Sequence, residues 1–247
     1  MYEDYARVYD RSGQYRFSLA MARYCRKLWA LFGASPKTLL DLACGTGTAA
    51  VAFQRQGLAV TGLDQSGMML ERARKKAPEI RWVEGDMRDF TLPERFDAVT
   101  CLYDSLNYLL SPDELSQTFE RIACHLNRDG LFVFDLATEH ALAEEWGNSL
   151  EAVASNKLFQ VWHSRFDPAT KLASLDLTIF EPSGERYRMI EETHTHRVIE
   201  RAEVQASLEQ AGFQLEGVFE CFTLSPATPE TYRAAFVARR KTRERRA

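Results

Sequence analysis

Short apolar segments and segments of helical periodicity alternate along residues 37 to 136. The apolar segments have the length of strands, and several of the segments between them are rich in helix-forming residues. This alternation is typical of β-α units that build a parallel sheet with right-handed crossovers. The predicted strands cover residues 38 to 43, 58 to 64, 80 to 86, 96 to 102 and 130 to 136, and the predicted helices cover residues 48 to 57, 66 to 77 and 111 to 130.

Residues that favour helix ends stand at the ends of these helices. Ser66 and Ser111 take the positions of N-caps, and Gly57 and Gly130 take the positions of C-caps. Ligands of doubly wound sheets bind beyond the carboxyl ends of the strands. A binding site is therefore expected in the loops that follow the predicted strands.

From residue 151 onward, apolar and polar residues alternate over longer stretches. Turns are predicted at Asp167-Pro168 and at Pro182-Ser183-Gly184. Residues 151 to 199 are thus predicted to form an inserted meander of about three antiparallel strands.

After the insertion, the pattern predicts one helix, over residues 200 to 212, and two strands, near 213 to 223 and 232 to 239. These strands would return to the main sheet, so that residues 1 to 150 and 200 to 247 form one domain. The predicted fold is α/β: a doubly wound, mostly parallel, seven-stranded Rossmann-like sheet with a small antiparallel β insertion.

Charge and composition narrow the expected partners. The 247 residues carry a formal net charge of -4, which disfavours nucleic acids and anionic membranes. No apolar segment reaches about 18 residues, and the N-terminus lacks the pattern of a signal peptide. Five scattered cysteines without a C-x-x-C pair are interpreted as reduced thiols, so a cytoplasmic location is expected. The basic residues 239 to 247 are interpreted as a solvated end, with nucleic-acid binding as the alternative.

The stretch "LLDLACGTGTAAVAF" places a glycine-rich loop directly after the first predicted strand. Gly45, Gly47 and Ala50 fit the dinucleotide pattern G-x-G-x-x-A, which alone is a weak signal. Asp41 precedes Gly45 by four residues. A carboxylate there would repel a pyrophosphate and attract a cationic group. S-adenosylmethionine combines a nucleoside with an ammonium and a sulfonium and has no phosphate, and therefore suits this loop.

The acidic positions extend this pattern over the first four strands. Asp64 in "TGLDQSGMML" stands 17 residues after Gly47, and Asp86-Met87 in "VEGDMRDF" follows the third strand. The segment "CLYDSLNYLL" follows the fourth. Together with "DLACGTGT", in which Ala43 stands where many members have glycine, these motifs resemble those of the class I S-adenosylmethionine-dependent methyltransferases.

The resemblance implies a role for each of these residues. Gly45 and Gly47 would let the backbone approach the cofactor, Asp41 would favour its ammonium, Asp64 would accept from the ribose hydroxyls and Asp86 from the adenine amino group. Met68, Met69 and Met87 would form apolar walls for the adenine or ordinary core. The predicted cofactor-binding set is completed by Ala43, Gln65 and Leu102.

The N-terminal "YARVYD" and the inserted strands resemble a bacterial branch of small-molecule methyltransferases. This implies that residues 1 to 30 form a lid and a helix. Tyr9 would line the methyl channel or anchor the lid by packing its ring. Tyr5 and Asp10 lie on the same segment. Tyr103, Asp104 and Asn107 would face the acceptor, with Asp104 orienting or deprotonating an amine or capping a turn.

Near the end of the insertion, His194 and His196 point to one face of an extended strand, and Arg197 points to the other. No third metal ligand stands at a recognisable spacing, so no metal is expected. Arg197 would hold an acceptor carboxylate or phosphate, or form a salt bridge with Glu191 or Glu192.

Two acceptor classes lack their motifs. The chain reads "LYDS" where methyltransferases of amide or adenine nitrogen carry D-P-P-Y or N-P-P-Y, and Cys101 follows a threonine rather than the proline of cytosine methylation. A small-molecule amine, hydroxyl or carboxylate is expected, with N-methylation preferred by family analogy. The alternatives are a nicotinamide-dependent oxidoreductase and an S-adenosylmethionine sensor without turnover. The chain is expected to be a monomer or a homodimer.

Overall fold

A computed structural model describes residue 2 and residues 4 to 241 of the chain. The last six residues of the basic C-terminal segment, 242 to 247, lie outside this part, as do residues 1 and 3. The predicted solvated end is therefore not addressed by the structure. No helix of the described part combines the length and the apolar character needed to cross a membrane.

Seven strands form the main sheet in the order β10-β11-β5-β4-β1-β2-β3. The first five strands in the chain pair in parallel, and β11 joins β5 and β10 in antiparallel pairs. The doubly wound, mostly parallel sheet predicted from the sequence is confirmed. The strands are β1 (Thr38–Leu42), β2 (Ala59–Asp64), β3 (Arg81–Glu84), β4 (Phe96–Cys101), β5 (Leu126–Ala137), β10 (Phe213–Glu220) and β11 (Arg233–Arg240).

Helices cover both faces of this sheet. The serine caps are confirmed: the Ser66 side chain accepts from the Met69 amide, and Ser111 forms a reciprocal capping box with Glu114. The helices are α1 (Tyr15–Leu31), α2 (Thr48–Gln54), α3 (Gly67–Lys76), α4 (Pro112–His125), the short α5 (Glu139–Ala141), which continues as a π-helical turn (Leu142–Trp146), and α6 (Arg201–Gln210).

The predicted C-cap at Gly130 is wrong. Helix α4 ends at His125, and the chain enters β5 at Leu126 without a loop, so Gly130 lies inside a strand. A Cβ on Gly130 would stand 2.7 Å from Leu126 Cδ2 and 3.0 Å from the carbonyl oxygen of Asp97. Glycine at position 130 thus allows the neighbouring backbone to approach closely and does not end a helix.

The insertion is a separate antiparallel sheet of four strands, in the order β6-β7-β8-β9. The sequence predicted about three. The missed strand is the edge strand β6, in which five of seven residues are exposed, so that no apolar alternation marks it. The strands are β6 (Ser149–Ser155), β7 (Leu158–Asp167), β8 (Leu172–Ser183) and β9 (Arg186–Arg197).

Apolar side chains pack against both faces of the main sheet. Strand β1 is buried on both sides, with Leu40 and Leu42 in one core and Leu39 in the other. Because side chains alternate along a strand, Asp41 lies on the face of Leu39, which is the face covered by α1 and α2. The Asp41 carboxylate is therefore buried between the sheet and these helices, near the carboxyl ends of the parallel strands.

Candidate active site

The glycine-rich loop between β1 and α2 depends on left-handed backbone. Ala43, Gly45 and Gly47 have φ angles of 51°, 55° and 74°. A Cβ on Gly47 would stand 2.4 Å from the ring of Trp82, so glycine is required there for packing as well as for conformation. Ala43 adopts the conformation that glycine favours at a strain of about 1 to 3 kcal/mol. The loop therefore keeps its turn although one glycine of the family pattern is replaced.

Asp41 is buried behind this loop and has one unsatisfied oxygen. Its Oδ1 accepts a hydrogen bond of 2.7 Å from the Thr100 hydroxyl, whereas Oδ2 has no hydrogen-bond partner among the described residues. Burial raises the pKa of Asp41 to about 7, partly offset by the Thr100 bond. A buried carboxylate with a free oxygen is suited to a cationic group.

Asp64, at the end of β2, connects the glycine loop to the start of α3. Its Oδ2 accepts from the Gly45 amide at 2.7 Å, and its Oδ1 accepts from the Ser66 amide at 2.8 Å. Burial raises the pKa of Asp64, and these two amide bonds oppose the increase. Each oxygen keeps a further lone pair, so the carboxylate has acceptor capacity left for hydroxyl groups of a ligand.

The space between this loop and the carboxyl ends of the strands is a cleft that we name the donor cavity. Most of the residues predicted for cofactor binding line it, and so do Tyr9 and Tyr103. The cofactor-binding residues on its wall are Asp41, Ala43, Gly45, Asp64, Gln65, Met69, Met87 and Leu102.

Three residues expected at the cofactor do not line the donor cavity. Gly47 instead packs its backbone against Trp82, and Met68 is partly exposed to solvent. The Asp86 carboxylate is occupied by Arg88, whose guanidinium lies 2.6 Å away and lowers the pKa of Asp86. Gly47, Met68 and Asp86 therefore lie outside the lining of the donor cavity, and their contacts with the cofactor stay predictions.

A second cavity adjoins the first, and we name it the aromatic cavity. It lies between the N-terminal segment, the loop after β4 and the inner face of β7 to β9. Four tyrosines belong to both cavities, namely Tyr2, Tyr9, Tyr103 and Tyr108. The remaining residues of the aromatic cavity are Tyr5, Gln14, Asp104, Glu145, Trp146, Trp162, Leu175, Leu177, His194, His196 and Arg233.

The loop after β4 is held in a strained conformation by buried charges. Tyr103 and Asp104 have positive φ angles of 65° and 50°. Their amides donate to the buried Asp135 carboxylate at 2.7 and 3.0 Å. Arg233 Nη1 lies 2.6 Å from Asp135 Oδ2 and 3.1 Å from Asp104 Oδ1. This network fixes the two side chains at the aromatic cavity.

The charges of this network compensate one another. Burial alone would raise the pKa of Asp104, but the Arg233 guanidinium holds it below its usual range. Sequence reasoning missed Arg233 and Asp135. Asp135 stands as a polar residue in the apolar "LFVFDLA", a signal that was available, whereas no local pattern marks Arg233.

His194 and His196 share the buried face of β9, as expected from their spacing, and both line the aromatic cavity. The phenol of Tyr108 lies 2.9 Å from His194 Nδ1. Neither ring nitrogen of His196 has a hydrogen-bond partner, and its Nδ1 is 3.6 Å from Asp104 Oδ2. Burial lowers the pKa of His196 to about 4, so its imidazole is neutral near pH 7.

Comparisons with known proteins identify the family of this chain. A family model described as a methyltransferase domain matches residues 39 to 130. The Bacillus subtilis protein YqeM, named as a methyltransferase, is 33% identical over 207 residues, which cover 82% of this chain and 83% of YqeM. This chain belongs to the class I S-adenosylmethionine-dependent methyltransferases. The oxidoreductase and sensor alternatives are therefore set aside.

Two further relatives extend the likeness of this methyltransferase over its whole length. A dTDP-3-amino-3,4,6-trideoxy-alpha-D-glucopyranose N,N-dimethyltransferase of Streptomyces venezuelae is 32% identical, covering 87% of this chain and 93% of that protein. A crystal structure of a S-adenosylmethionine-dependent methyltransferase from Clostridium acetobutylicum superposes with a TM-score of 0.87 at 23% identity, covering 98% of this chain and 99% of that one. The latter supports the fold.

The donor cavity of this methyltransferase suits S-adenosylmethionine. The unpaired Oδ2 of Asp41 can accept from an ammonium, and the remaining lone pairs of Asp64 can accept from ribose hydroxyls. The side chains of Met69 and Met87 add apolar surface to the same cavity.

Two predicted acceptor residues lie outside both cavities. Asn107 is fully buried, and its amide bonds to the backbone of Ala137 and Arg197. The Arg197 guanidinium pairs with Glu203 at 2.8 Å, so its salt bridge is with this residue and not with Glu191 or Glu192. Both side chains are engaged by other parts of the fold, and neither lines the donor cavity or the aromatic cavity. In the described part of the chain, no group of three His, Cys, Asp or Glu could hold a metal.

Proposed function

We propose that this methyltransferase methylates an amine of a small molecule that binds in the aromatic cavity. The observation that carries the proposal is the shared tyrosine wall: the donor cavity and the aromatic cavity meet there, beside the unpartnered imidazole of His196. The relative from Streptomyces venezuelae, which is named an N,N-dimethyltransferase, supports nitrogen as the acceptor atom.

The donor side of the proposed reaction needs binding and little chemistry. S-adenosylmethionine supplies an activated methyl group on its sulfonium. Asp41 holds the ammonium and Asp64 the ribose hydroxyls, while Gly45 lets the backbone approach. Gly47 and Asp86 remain predicted contacts at the turn and the adenine. Alignment of the two reactants contributes most to the rate, because the methyl group needs no further activation.

The acceptor side needs one proton to leave. Most aliphatic amines are protonated near pH 7 and have no free lone pair. The neutral His196 imidazole relays this proton to solvent, and the nearby Asp104 carboxylate stabilises the transient imidazolium. His196 is neutral again before methyl transfer, because its pKa of about 4 holds no proton near pH 7. The amine lone pair then forms the N–CH3 bond as the S–CH3 bond breaks.

The tyrosine wall excludes water and orients the two reactants. The hydroxyls of Tyr2 and Tyr108 lie 2.6 Å apart, and Tyr103 bonds to Gln14. Burial raises the pKa of Tyr9 and Tyr108, so these phenols remain neutral. Neutral rings beside the reacting atoms place no anion next to the sulfonium.

The N-terminal segment is proposed to be a lid over the donor cavity. Its Asp10 carboxylate accepts from the Thr46 hydroxyl at 2.7 Å and pairs with Lys76 at 2.9 Å. These contacts connect the segment to the glycine loop and to α3. Since the cysteines of the described part are free thiols, we also infer that the enzyme works in the cytoplasm.

The test is a screen of acceptors with matched functional groups. Purified protein is incubated with S-adenosylmethionine and with amine, hydroxyl or carboxylate versions of the same small cyclic and acyclic molecules. We expect S-adenosylhomocysteine and a methylated product, identified by mass spectrometry, with amines. Transfer to the hydroxyl or carboxylate versions but not to the amines would contradict the proposal.

A further inference from the structure

The aromatic cavity combines acidic and aromatic groups, while its single arginine is already paired. We infer that the molecule that enters it is an organic ammonium that carries neutral polar groups and no phosphate. The inference rests on the proposed function, in which this cavity holds the methyl acceptor. It names the chemical class of that acceptor from the charges, rings and unpaired polar atoms of the cavity.

The first argument is the charge of the side chains that line the cavity. Asp104 and Glu145 are acidic, and Glu145 forms no ion pair within the described part of the chain. The one guanidinium, that of Arg233, is bound to the carboxylates of Asp104 and Asp135. The rings of Phe17 and Tyr103 also cover it, with centroids 4.7 and 5.4 Å from its Cζ. An anion entering the cavity would have to break this buried network.

The two histidines of the cavity provide no positive charge either. Burial lowers the pKa of His194, and its Nδ1 lies at hydrogen-bond distance from the Tyr108 phenol. His196 is 2% exposed and packs between the ring of Trp146, at a centroid distance of 4.6 Å, and that of Tyr108, at 4.4 Å. A phosphate would therefore meet neutral imidazoles and carboxylates rather than the arginine forks that bind phosphates well.

The second argument is the density of aromatic rings. Tyr2 has the rings of Tyr5 and Tyr9 at centroid distances of 6.0 and 6.1 Å, and Tyr108 at 6.3 Å. Ring faces attract ammonium ions, and the attraction is stronger where water is excluded. An aromatic wall with carboxylates beside it is thus a suitable environment for an organic cation.

The third argument is the set of buried polar atoms without partners. The indole Nε1 of Trp162 and both ring nitrogens of His196 have no hydrogen-bond partner in the described structure. Buried polar groups of this kind normally bond to protein, water or ligand. Trp162 can donate to a hydroxyl or carbonyl oxygen. The neutral His196 ring can accept at one nitrogen and donate at the other, which suits an amine that carries neutral polar substituents.

This acceptor class differs from the one in the name of the Streptomyces venezuelae relative. That name specifies a dTDP-linked amino sugar, which carries a diphosphate. The amine would be common to both acceptors. The described lining of the aromatic cavity in this chain offers no unpaired cation to a diphosphate, and this property can be tested with small probes.

Two probes of the same shape and a third with an added phosphate separate the effects of charge and shape. Choline carries a quaternary ammonium, 3,3-dimethylbutan-1-ol replaces that ammonium by a neutral carbon, and phosphocholine adds a phosphate. Each is titrated against the full chain without a methyl donor, and binding is measured by saturation-transfer NMR. We expect choline to bind at least about tenfold more tightly than the neutral alcohol and more tightly than phosphocholine.

Substitutions of two exposed glutamates test whether choline binds in this cavity. Glu145→Gln removes a carboxylate of the cavity wall, and Glu144→Gln is the matched control, since the neighbouring Glu144 does not line the cavity. We expect choline to bind about two- to fivefold more weakly to the Glu145→Gln variant and unchanged to the control. Asp104→Asn should weaken choline further, provided that its circular dichroism remains that of the wild type.

Three results would overturn the inference. They are equal binding of choline and the neutral alcohol, no saturable binding of choline, and tighter binding of phosphocholine than of choline. Because no methyl donor is present, these results are independent of turnover. Normal discrimination among the probes with no methylation of any amine would instead contradict the proposed function alone.

Discussion

The donor cavity and the aromatic cavity share four tyrosines but differ in the groups that form the rest of their walls. In the donor cavity, left-handed turns at Ala43 and Gly45 and two carboxylates, Asp41 and Asp64, form the polar surface. In the aromatic cavity, aromatic rings and a neutral histidine form most of the wall, and the guanidinium of Arg233 is already paired with the carboxylate of Asp135. One cavity is shaped by backbone conformation and the other by side-chain packing.

This difference teaches how one fold can keep a constant donor and vary its acceptor. The turns of the donor cavity come from contiguous segments whose geometry is set by β1, β2 and their loops. The aromatic cavity takes side chains from the N-terminal segment, the loop after β4, the π-helical turn, the insertion and β11. We therefore expect substitutions in the insertion to change the acceptor without disturbing donor binding.

The largest effect is expected for Gly45→Val. Its φ of 55° disfavours a β-branched residue, and an added side chain would project into open space at the donor cavity. We expect binding of S-adenosylhomocysteine to fall by more than about 100-fold, an effect of more than about 2.7 kcal/mol. Calorimetric titration measures this loss.

Gly33→Val is the matched control for this substitution. Gly33 also has a positive φ, of 65°, and has no atom within 4 Å of its added Cβ, but it lies at the end of α1, away from both cavities. Both variants should lose a similar amount of stability to backbone strain. Near-normal affinity for S-adenosylhomocysteine in Gly45→Val would contradict the assignment of the loop to the cofactor. An equal loss of affinity in Gly33→Val would show that impaired folding causes the loss.

The next largest effect is expected for His196→Gln, on the acceptor side. If His196 takes the amine proton, kcat/KM near pH 7 should fall about 100-fold with unchanged affinity for S-adenosylhomocysteine. The defect should shrink as the pH rises through the pKa of the acceptor amine, because more of the amine then arrives neutral. His163→Gln, in an exposed position on β7, is the control. A defect that stays constant with pH would indicate a structural role only.

A smaller effect with a distinctive pH dependence is expected for Asp41→Asn. The pKa of Asp41 is raised to about 7 in the folded chain, so only about a tenth of the molecules carry the charge at pH 6. Affinity of the wild type for S-adenosylhomocysteine should rise about tenfold between pH 6 and pH 7.5. The variant should bind about 10- to 100-fold more weakly at pH 7.5 and show no such rise.

The same variant should have the opposite effect on stability. A raised pKa means that the folded chain binds the proton more tightly than the unfolded chain does. The associated stability is present below about pH 4 and is lost as the pH rises through about 7. Without ligand at pH 8, Asp41→Asn should therefore unfold at a higher temperature than the wild type. A lower unfolding temperature would show that Asp41 stabilises the empty fold.

Much of the donor side could be predicted from sequence because its signals are local. The spacing from Asp41 to Gly47 and the polar ends of two apolar strands placed Asp41, Gly45 and Asp64 on one cavity wall. Asp86 followed the same logic, but the neighbouring Arg88 two residues along the chain occupies its carboxylate. The adenine contact predicted for Asp86 would share this carboxylate with Arg88, a partner that the motif does not indicate.

The acceptor side depended on contacts between distant segments. Arg233 reaches Asp104 and Asp135 across 129 and 98 residues, and no periodicity indicates such a network. Arg197 was expected to hold an acceptor group or to pair with Glu191 or Glu192, but the following helix α6 brings Glu203 beside it. The edge strand β6 was missed for a related reason, since an exposed strand leaves little hydrophobic pattern.

The smallest effect is expected at the proposed lid, which bears on both cavities. Asp10→Asn weakens the ion pair between residue 10 and Lys76, in which both side chains are partly exposed. It also replaces the carboxylate that accepts from the Thr46 hydroxyl by an amide. Such a pair contributes about 0.2 to 1 kcal/mol. We therefore expect the dissociation rate of S-adenosylhomocysteine, measured by stopped flow, to rise by about two- to fivefold. Asp4→Asn is the control, because Asp4 lies on the same segment and its side chain caps no helix. An unchanged dissociation rate in Asp10→Asn would mean that the N-terminal segment packs beside the donor cavity without closing it. The tyrosine wall would then be the part of this region that bears on both cavities.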